Sequence, residues 1–178
     1  MEYVQFKEIK ACKFNGGFAF DVEYLKNVKE VRFDSYLPIE SDDFLVIDSK
    51  AKVVVASNIL KNRIIQKHIA NGVEFMGNCE IDDQVEIGKN VVIFGGNIIK
   101  GDTIVGENTI LKENNIIENC VIGNDVCISS STISNSKIED NVFVLPYCYV
   151  ADSTIRKNCY ISSNVKVEKR TVRAGSRL

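Results

Sequence analysis

The sequence predicts a mainly β protein, a solenoid of hexapeptide repeats preceded by a helical arm and a small α+β segment at the amino end. Three observations carry that reading. From Ile81 to Leu178 an aliphatic residue recurs at every fifth or sixth position, residues 50–72 place apolar side chains at helix-like intervals, and the first 50 residues do neither. These patterns divide the chain into residues 1–50, a linker arm at 51–78 and the repeats at 79–178.

The amino-terminal segment reads as strands near 2–10, 30–38 and 43–48 with a short helix near 21–29. It is too short for an independent domain of ordinary size, so it is expected to pack on the arm or on a neighbouring subunit. The arm, KAKVVVASNILKNRIIQKHIANG, spaces Val55, Ile59, Ile64 and Ile69 among Lys, Arg and Gln and stops at Asn71-Gly72. Such a stretch ending in a glycine cap predicts one amphipathic helix.

The repeat series runs Ile81, Ile87, Ile93, Ile99, Val105, Leu111, Ile117, Ile122, Ile128, Ile133, Ile138, Val144, Val150, Ile155, Ile161, Val167, Val172 and Leu178. Neither a helical period of about 3.6 nor a simple strand period of about 2 produces it. A hexapeptide repeat does, each repeat supplying one flat face of a triangular coil. Three residues after most anchors stand Asn, Asp or Gly, among them Asn90, Gly96, Asp102, Asn108, Asn114 and Asn141, which tolerate left-handed backbone and are expected to turn the corners. Three faces of six residues predict about 18 residues per coil and five to six coils over this span. The steps ending at Ile122, Ile133, Ile138, Ile155 and Val172 are one residue short, and shorter corners are expected to absorb the difference. Four residues after the anchors runs a column of Val85, Val91, Thr103, Thr109, Val121, Val126, Thr132, Val142, Val165 and Thr171, which also takes in Cys148 and Cys159. Its small and β-branched residues suit a second column in an inward-facing or near-corner position.

Composition narrows function. A formal net charge of −2 disfavours nucleic acid or an anionic membrane as the main partner. The amino terminus, MEYVQFKEIK, carries charges where a signal peptide is apolar, and no stretch approaches the roughly 20 apolar residues of a membrane span, so a cytoplasmic location is expected. Cys12, Cys79, Cys120, Cys127, Cys148 and Cys159 form no CxxC pair and no metal-ligand spacing, and Cys148 and Cys159, by their place in that second column, read as core thiols of a reducing compartment.

The stretch RIIQKHIANGVEF, followed by NCEIDDQVEIGKNVVIFGGNIIKGDTIVGENTIL and SSSTISNSKIEDNVFVLPYCYV, resembles the bifunctional bacterial N-acetylglucosamine-1-phosphate uridyltransferase and glucosamine-1-phosphate acetyltransferase family. The resemblance covers most of residues 46–178 and implies a helical arm leading into a left-handed parallel β-helix that forms homotrimers. It further implies a place in the UDP-N-acetylglucosamine pathway, a sugar-phosphate or nucleotide-sugar ligand, and magnesium and acetyl-CoA as cofactors. Residues Asn15-Gly16-Gly17 to Asp21-Val22, and FLVIDSKAK, are similar to the end of that family's nucleotidyltransferase domain. On this alignment Asp48 stands where the family has an Asn that helps hold magnesium. Read alone, Asp48 is an exposed strand-end carboxylate.

The chain departs from the family at both sites. No Gly-rich nucleotide loop of the LxGGxGTRM kind occurs. In the acetyltransferase site, an Arg expected after the Pro146-Tyr147-Cys148 segment is Ala151, Lys169 keeps the position of a sugar-phosphate lysine, and the sequence given stops before the family's catalytic His. The single histidine, His68, falls on the arm and reads as a helix-surface or arm-packing residue, too far from Lys169 to act as its general base. One histidine also excludes the three-histidine zinc site of the carbonic-anhydrase branch of hexapeptide proteins. Two readings remain open. One is a transferase-related protein of nucleotide-sugar metabolism, catalytically incomplete on its own; the other is a non-catalytic trimerising scaffold or partner subunit.

Overall fold

The computed structural model describes three short strands near the amino end and every residue from Ser49 to Leu178. The chain falls into two compact units, Met1–Leu60 and Lys61–Leu178. In the first unit β1 (Ala11–Phe14) and β2 (Gly17–Phe20) pair antiparallel, with Phe14 opposite Gly17. The two residues between them are Asn15 and Gly16, a pair that two-residue hairpins favour. A third strand, β3 (Leu37–Pro38), runs parallel to β1 and coincides with the end of the strand expected at 30–38. The strands expected at 2–10 and 43–48, the helix expected at 21–29, and Asp48 lie outside the described residues.

Helix α1 spans Lys50–Ala70. Ser49 is its N-cap: its hydroxyl oxygen accepts from the Lys52 amide at 3.4 Å, three residues into the helix. At the other end Gly72 adopts φ +87°, Val73 N–H donates to the His68 carbonyl at 3.1 Å, and Gly72 N–H donates to that of Ile69 at 2.9 Å. Those two bonds make a Schellman turn, which satisfies carbonyls that the last helical turn leaves open. The buried stripe differs from the one expected. Ile64, Ile65 and His68 face the repeat core, whereas Val55 and Ile69 are exposed. At about 100° per residue Ile64 lies on the opposite side of the helix from Val55, so the four expected positions never formed one face. His68 is the helix's buried residue.

Residues 74–172 form 18 short strands wound into six coils, stacked as three parallel six-stranded sheets. The first face runs from Glu74–Met76 to Tyr160–Ile161, the second from Glu80–Ile81 to Lys166–Glu168, and the third from Glu86–Ile87 to Thr171–Val172. The coil is a left-handed β-helix. Anchors stack in register from coil to coil, as Ile81, Ile99, Ile117, Ile133, Val150 and Val167 do on the second face. Every anchor from Ile81 to Val172 is buried; Leu178 is 37% exposed. Burial of one such side chain is worth about 1.5 to 3 kcal/mol, so the ladder dominates the stability of this unit.

The second inward column sits two residues before the anchors rather than four after, except before Val172, where Arg170 is exposed. The two descriptions coincide on six-residue steps and part on five-residue ones. Cys120, Ser131, Ser136 and Ser153 therefore occupy it, while Val121 and Thr171, expected there, point outward. Register is set by strand alternation at the anchor that follows, so a missing residue comes out of the corner. For the same reason the left-handed residue of a short corner falls two after the anchor, at Asn119, Ser130, Asn135, Asp152 and Lys169. One long corner differs as well: Gly101, not Asp102, takes the positive φ.

Part of the interior column is polar. The buried Asn97 and Asn115 bond side chain to side chain at 2.9 Å, and Asn115 Oδ1 accepts from the Ser131 amide at 2.9 Å. Ser131 Oγ continues the ladder by accepting from Cys148 N–H at 3.1 Å. The thiols of Cys148 and Cys159 are buried as expected and that of Cys120 is buried too, while Cys127 sits on the outer side of the first face between Ile110 and Phe143. On the third face Gly106 leaves room for the next coil. A Cβ there would lie 2.5 Å from the carbonyl carbon and oxygen of Gly123, in the space through which Asn124 Oδ1 reaches the Glu107 amide at 2.8 Å.

Candidate functional site

Four of the five short steps belong to one corner, between the second and third faces, in four successive coils. Their corner residues Asn119, Asn135, Asp152 and Lys169 all adopt φ of 46 to 51° and stack over one another. Backbone bonds hold the stack: Asn135 N–H to the Glu118 carbonyl at 3.0 Å, Asp152 to Ser134 at 3.2 Å and Lys169 to Ala151 at 3.1 Å. With one residue removed from each corner, the edge of the prism is recessed. A shallow groove results, lined by Asn119, Asn135 and Asp152 on the corner, Val121, Lys137 and Thr154 on the third face, and Ser136 and Ser153 beneath.

The serines are committed inward. Ser136 Oγ accepts from Ser153 N–H at 3.0 Å and Ser153 Oγ accepts from Arg170 N–H at 3.2 Å, while each hydroxyl donates to a carbonyl two residues back. What faces the groove is therefore amide, carboxylate, hydroxyl and ammonium, with one cation at Lys137 and one anion at Asp152. This set can hydrogen-bond a polar ligand. It holds no pair of nucleophile and base.

Lys169 is the next rung above Asp152 and is exposed. Its neighbour Glu168 is bonded instead to Lys166, at 2.8 Å, and that bond and charge hold the Glu168 carboxyl below its ordinary range and the Lys166 ammonium above its own. The Lys166 ammonium also lies 5.5 Å from the centre of the Tyr149 ring. Ala151, directly under Glu168 in register, is buried and brings no charge to the corner.

The remaining expected site residues do not join Lys169. His68 sits on α1, against the opposite end of the coil stack, and is 2% exposed with neither ring nitrogen hydrogen-bonded. Burial first, and the charge of Lys67 next, push its pKa below the ordinary 6.5, against an opposing pull from Asp83. Among the described residues no group of three His, Cys, Asp or Glu side chains comes together, and Asp48, which the resemblance aligns with a magnesium-holding residue, lies outside them. The groove itself was missed from sequence, although its signal was present in the recurrence of short steps at Ile122, Ile138, Ile155 and Val172.

Residues 135–169 match the family described as bacterial transferase hexapeptide (six repeats). Repeat, coil and match together define the chain as a hexapeptide-repeat β-helix protein. Within that class it is related to GlmU: it is 38% identical to the bifunctional protein GlmU of Clostridium perfringens over 93% of its length, and 32% identical to that of Clostridium kluyveri over 96%. It spans 42% of the length of each of these relatives. Among solved structures, Caulobacter crescentus PerB in complex with CoA and GDP-perosamine is 16% identical, with a TM-score of 0.38 over 67% of this chain and 59% of that one, too loose a likeness to bear on function.

Proposed function

We propose that the chain is a GlmU-related protein of nucleotide-sugar metabolism that binds a sugar phosphate or nucleotide sugar at the corner between the second and third faces and is catalytically incomplete on its own. The recessed corner running up to Lys169 is the observation that carries this reading. Relatedness to GlmU supports the ligand class. Chemistry supports incompleteness: an acetyl transfer to an amine calls for a base within hydrogen-bond reach, and the described residues of this corner include no imidazole. Isothermal titration with glucosamine-1-phosphate, UDP-N-acetylglucosamine and acetyl-CoA tests the proposal. Heat with at least one of the sugar ligands is expected, and its absence with all of them refutes it.

The second reading, a trimerising scaffold, draws on a different observation. The outer side of the first face carries Ile110, Cys127, Phe143 and Tyr160 in one register over four successive coils, an apolar stripe in which Ile110, Phe143 and Tyr160 are 38 to 44% exposed. Stripes of this kind mark contact surfaces. We propose that it packs in a homotrimer, as the family resemblance implies. Light scattering is expected to give three times the mass of one chain, and a monomer mass would exclude it.

A further inference from the structure

The last 23 residues hold seven of the chain's 22 basic side chains, and four of its six arginines, against one of its 24 acidic ones. An acidic protein thus carries a net positive charge in its last two coils. On the outer side of the third face Arg156 and Arg173 occupy adjacent rungs, since Thr154 pairs with Thr171 and Ile155 with Val172. Adjacent rungs are about 4.8 Å apart, and like charges stacked so closely repel. Arg170 lies three residues before Arg173, on the corner side of the same face, beside Lys169; all four side chains are exposed. Lower in the column of Arg156 and Arg173 stand Gly88, Gly106 and Gly123, so the charge is no general property of the repeat. The acid in that column, Glu139, lies 3.7 Å from Arg156 and also accepts from the Lys157 amide at 3.1 Å. No carboxylate is bonded to Arg170 or Arg173 among the described residues.

We propose that this part of the third face is a phosphate-binding surface in which Arg156, Arg170 and Arg173 are the donors and Lys169 stands at the edge. Guanidinium groups present planar pairs of N–H donors, and a tetrahedral dianion has oxygens enough to serve two of them at once, which a single carboxylate on Arg156 does not. The surface continues the corner groove by one coil, so a ligand with a polar body in the groove places a phosphate here. That last step rests on the function proposed above; the anion surface itself does not.

The test is calorimetric titration of the full chain with sodium pyrophosphate, with glucosamine-1-phosphate and with UDP-N-acetylglucosamine at constant ionic strength. Wild type is expected to bind pyrophosphate saturably. Arg156→Gln with Arg173→Gln is expected to lose about tenfold or more in affinity, and Lys112→Gln on the first face to lose none. Arg156→Lys with Arg173→Lys keeps the charge and loses the fork, so it is expected to bind more loosely than wild type, and it carries the test if the glutamine variant does not fold. No saturable pyrophosphate binding, or equal affinity in the double variants, overturns the proposal. Glucosamine-1-phosphate binding that ignores the double variants overturns it while sparing the sugar-phosphate reading. Pyrophosphate binding that depends on the arginines, with no response to either sugar ligand, supports the surface and removes that reading.

Discussion

Replacing Asn115 by alanine tests whether the polar column inside the coil is structural cement or a tolerated defect. The side chain is fully buried; its Oδ1 accepts from the Ser131 amide at 2.9 Å, and its Nδ2 donates to Asn97 Oδ1 at 2.9 Å and to the Lys112 carbonyl at 2.6 Å. Truncation leaves the Ser131 N–H without an acceptor, a loss of about 1 to 3 kcal/mol for a buried donor. The other two partners keep a second bond each, Asn97 Oδ1 from the Asn115 amide at 3.2 Å and the Lys112 carbonyl from Asn97 Nδ2 at 2.8 Å, so each forfeits about 0.5 to 1.5 kcal/mol. The expected loss is therefore about 2 to 6 kcal/mol, a large share of the roughly 5 to 15 kcal/mol that a domain possesses. Urea denaturation at fixed protein concentration measures it. Asn115→Ser is the control, because Ser131 fills the equivalent place one coil on and its hydroxyl oxygen accepts the Cys148 amide. Serine should recover most of the loss. A loss under about 1 kcal/mol for alanine, or a serine variant no better than alanine, would refute the reasoning.

Stability should also depend on pH through His68. Its pKa is lowered in the folded chain, so the neutral form is the stabilising one; that contribution is complete above the unfolded value of 6.5 and is lost as pH falls through the lower folded value. Thermal midpoints should drop as pH falls from 6.5 through the lower folded value and level off beneath it, and His68→Leu should flatten the drop; equal slopes would exclude His68 as the cause. Ile99→Asp places an unpaired charge at a fully buried anchor and is expected to abolish soluble expression, so a folded variant would show the anchor assignment to be wrong. Gly106→Ala should cost more than Gly72→Ala in chemical denaturation. The first drives a Cβ into backbone at 2.5 Å, whereas the second meets open space and only the strain of φ +87°, about 1 kcal/mol; the reverse order would contradict the packing.

The coil was legible because its signal is periodic and enforced by burial: no polar side chain could stand at Ile117 or Ile133 without an interior partner. The stop of α1 was legible for a similar reason, since Gly72 serves a backbone geometry that few residues adopt. The buried side of the helix was not. Its apolar residues surround it, and only contact with the coil selects Ile64, Ile65 and His68. At the candidate site Lys169 was named without its setting: a resemblance can align a lysine, but the recess beside it arises from stacking four short corners that are 16 or 17 residues apart in sequence.

Those short corners also say how such a protein can change. A residue lost inside a strand inverts the alternation of everything up to the next anchor, but one lost at a bend is cancelled within the same rung, because the following anchor re-engages its partners above and below. The coil thus reads length errors locally and corrects them at every edge. Relief on its surface can be carved one residue at a time, coil by coil, with the core left uninformed.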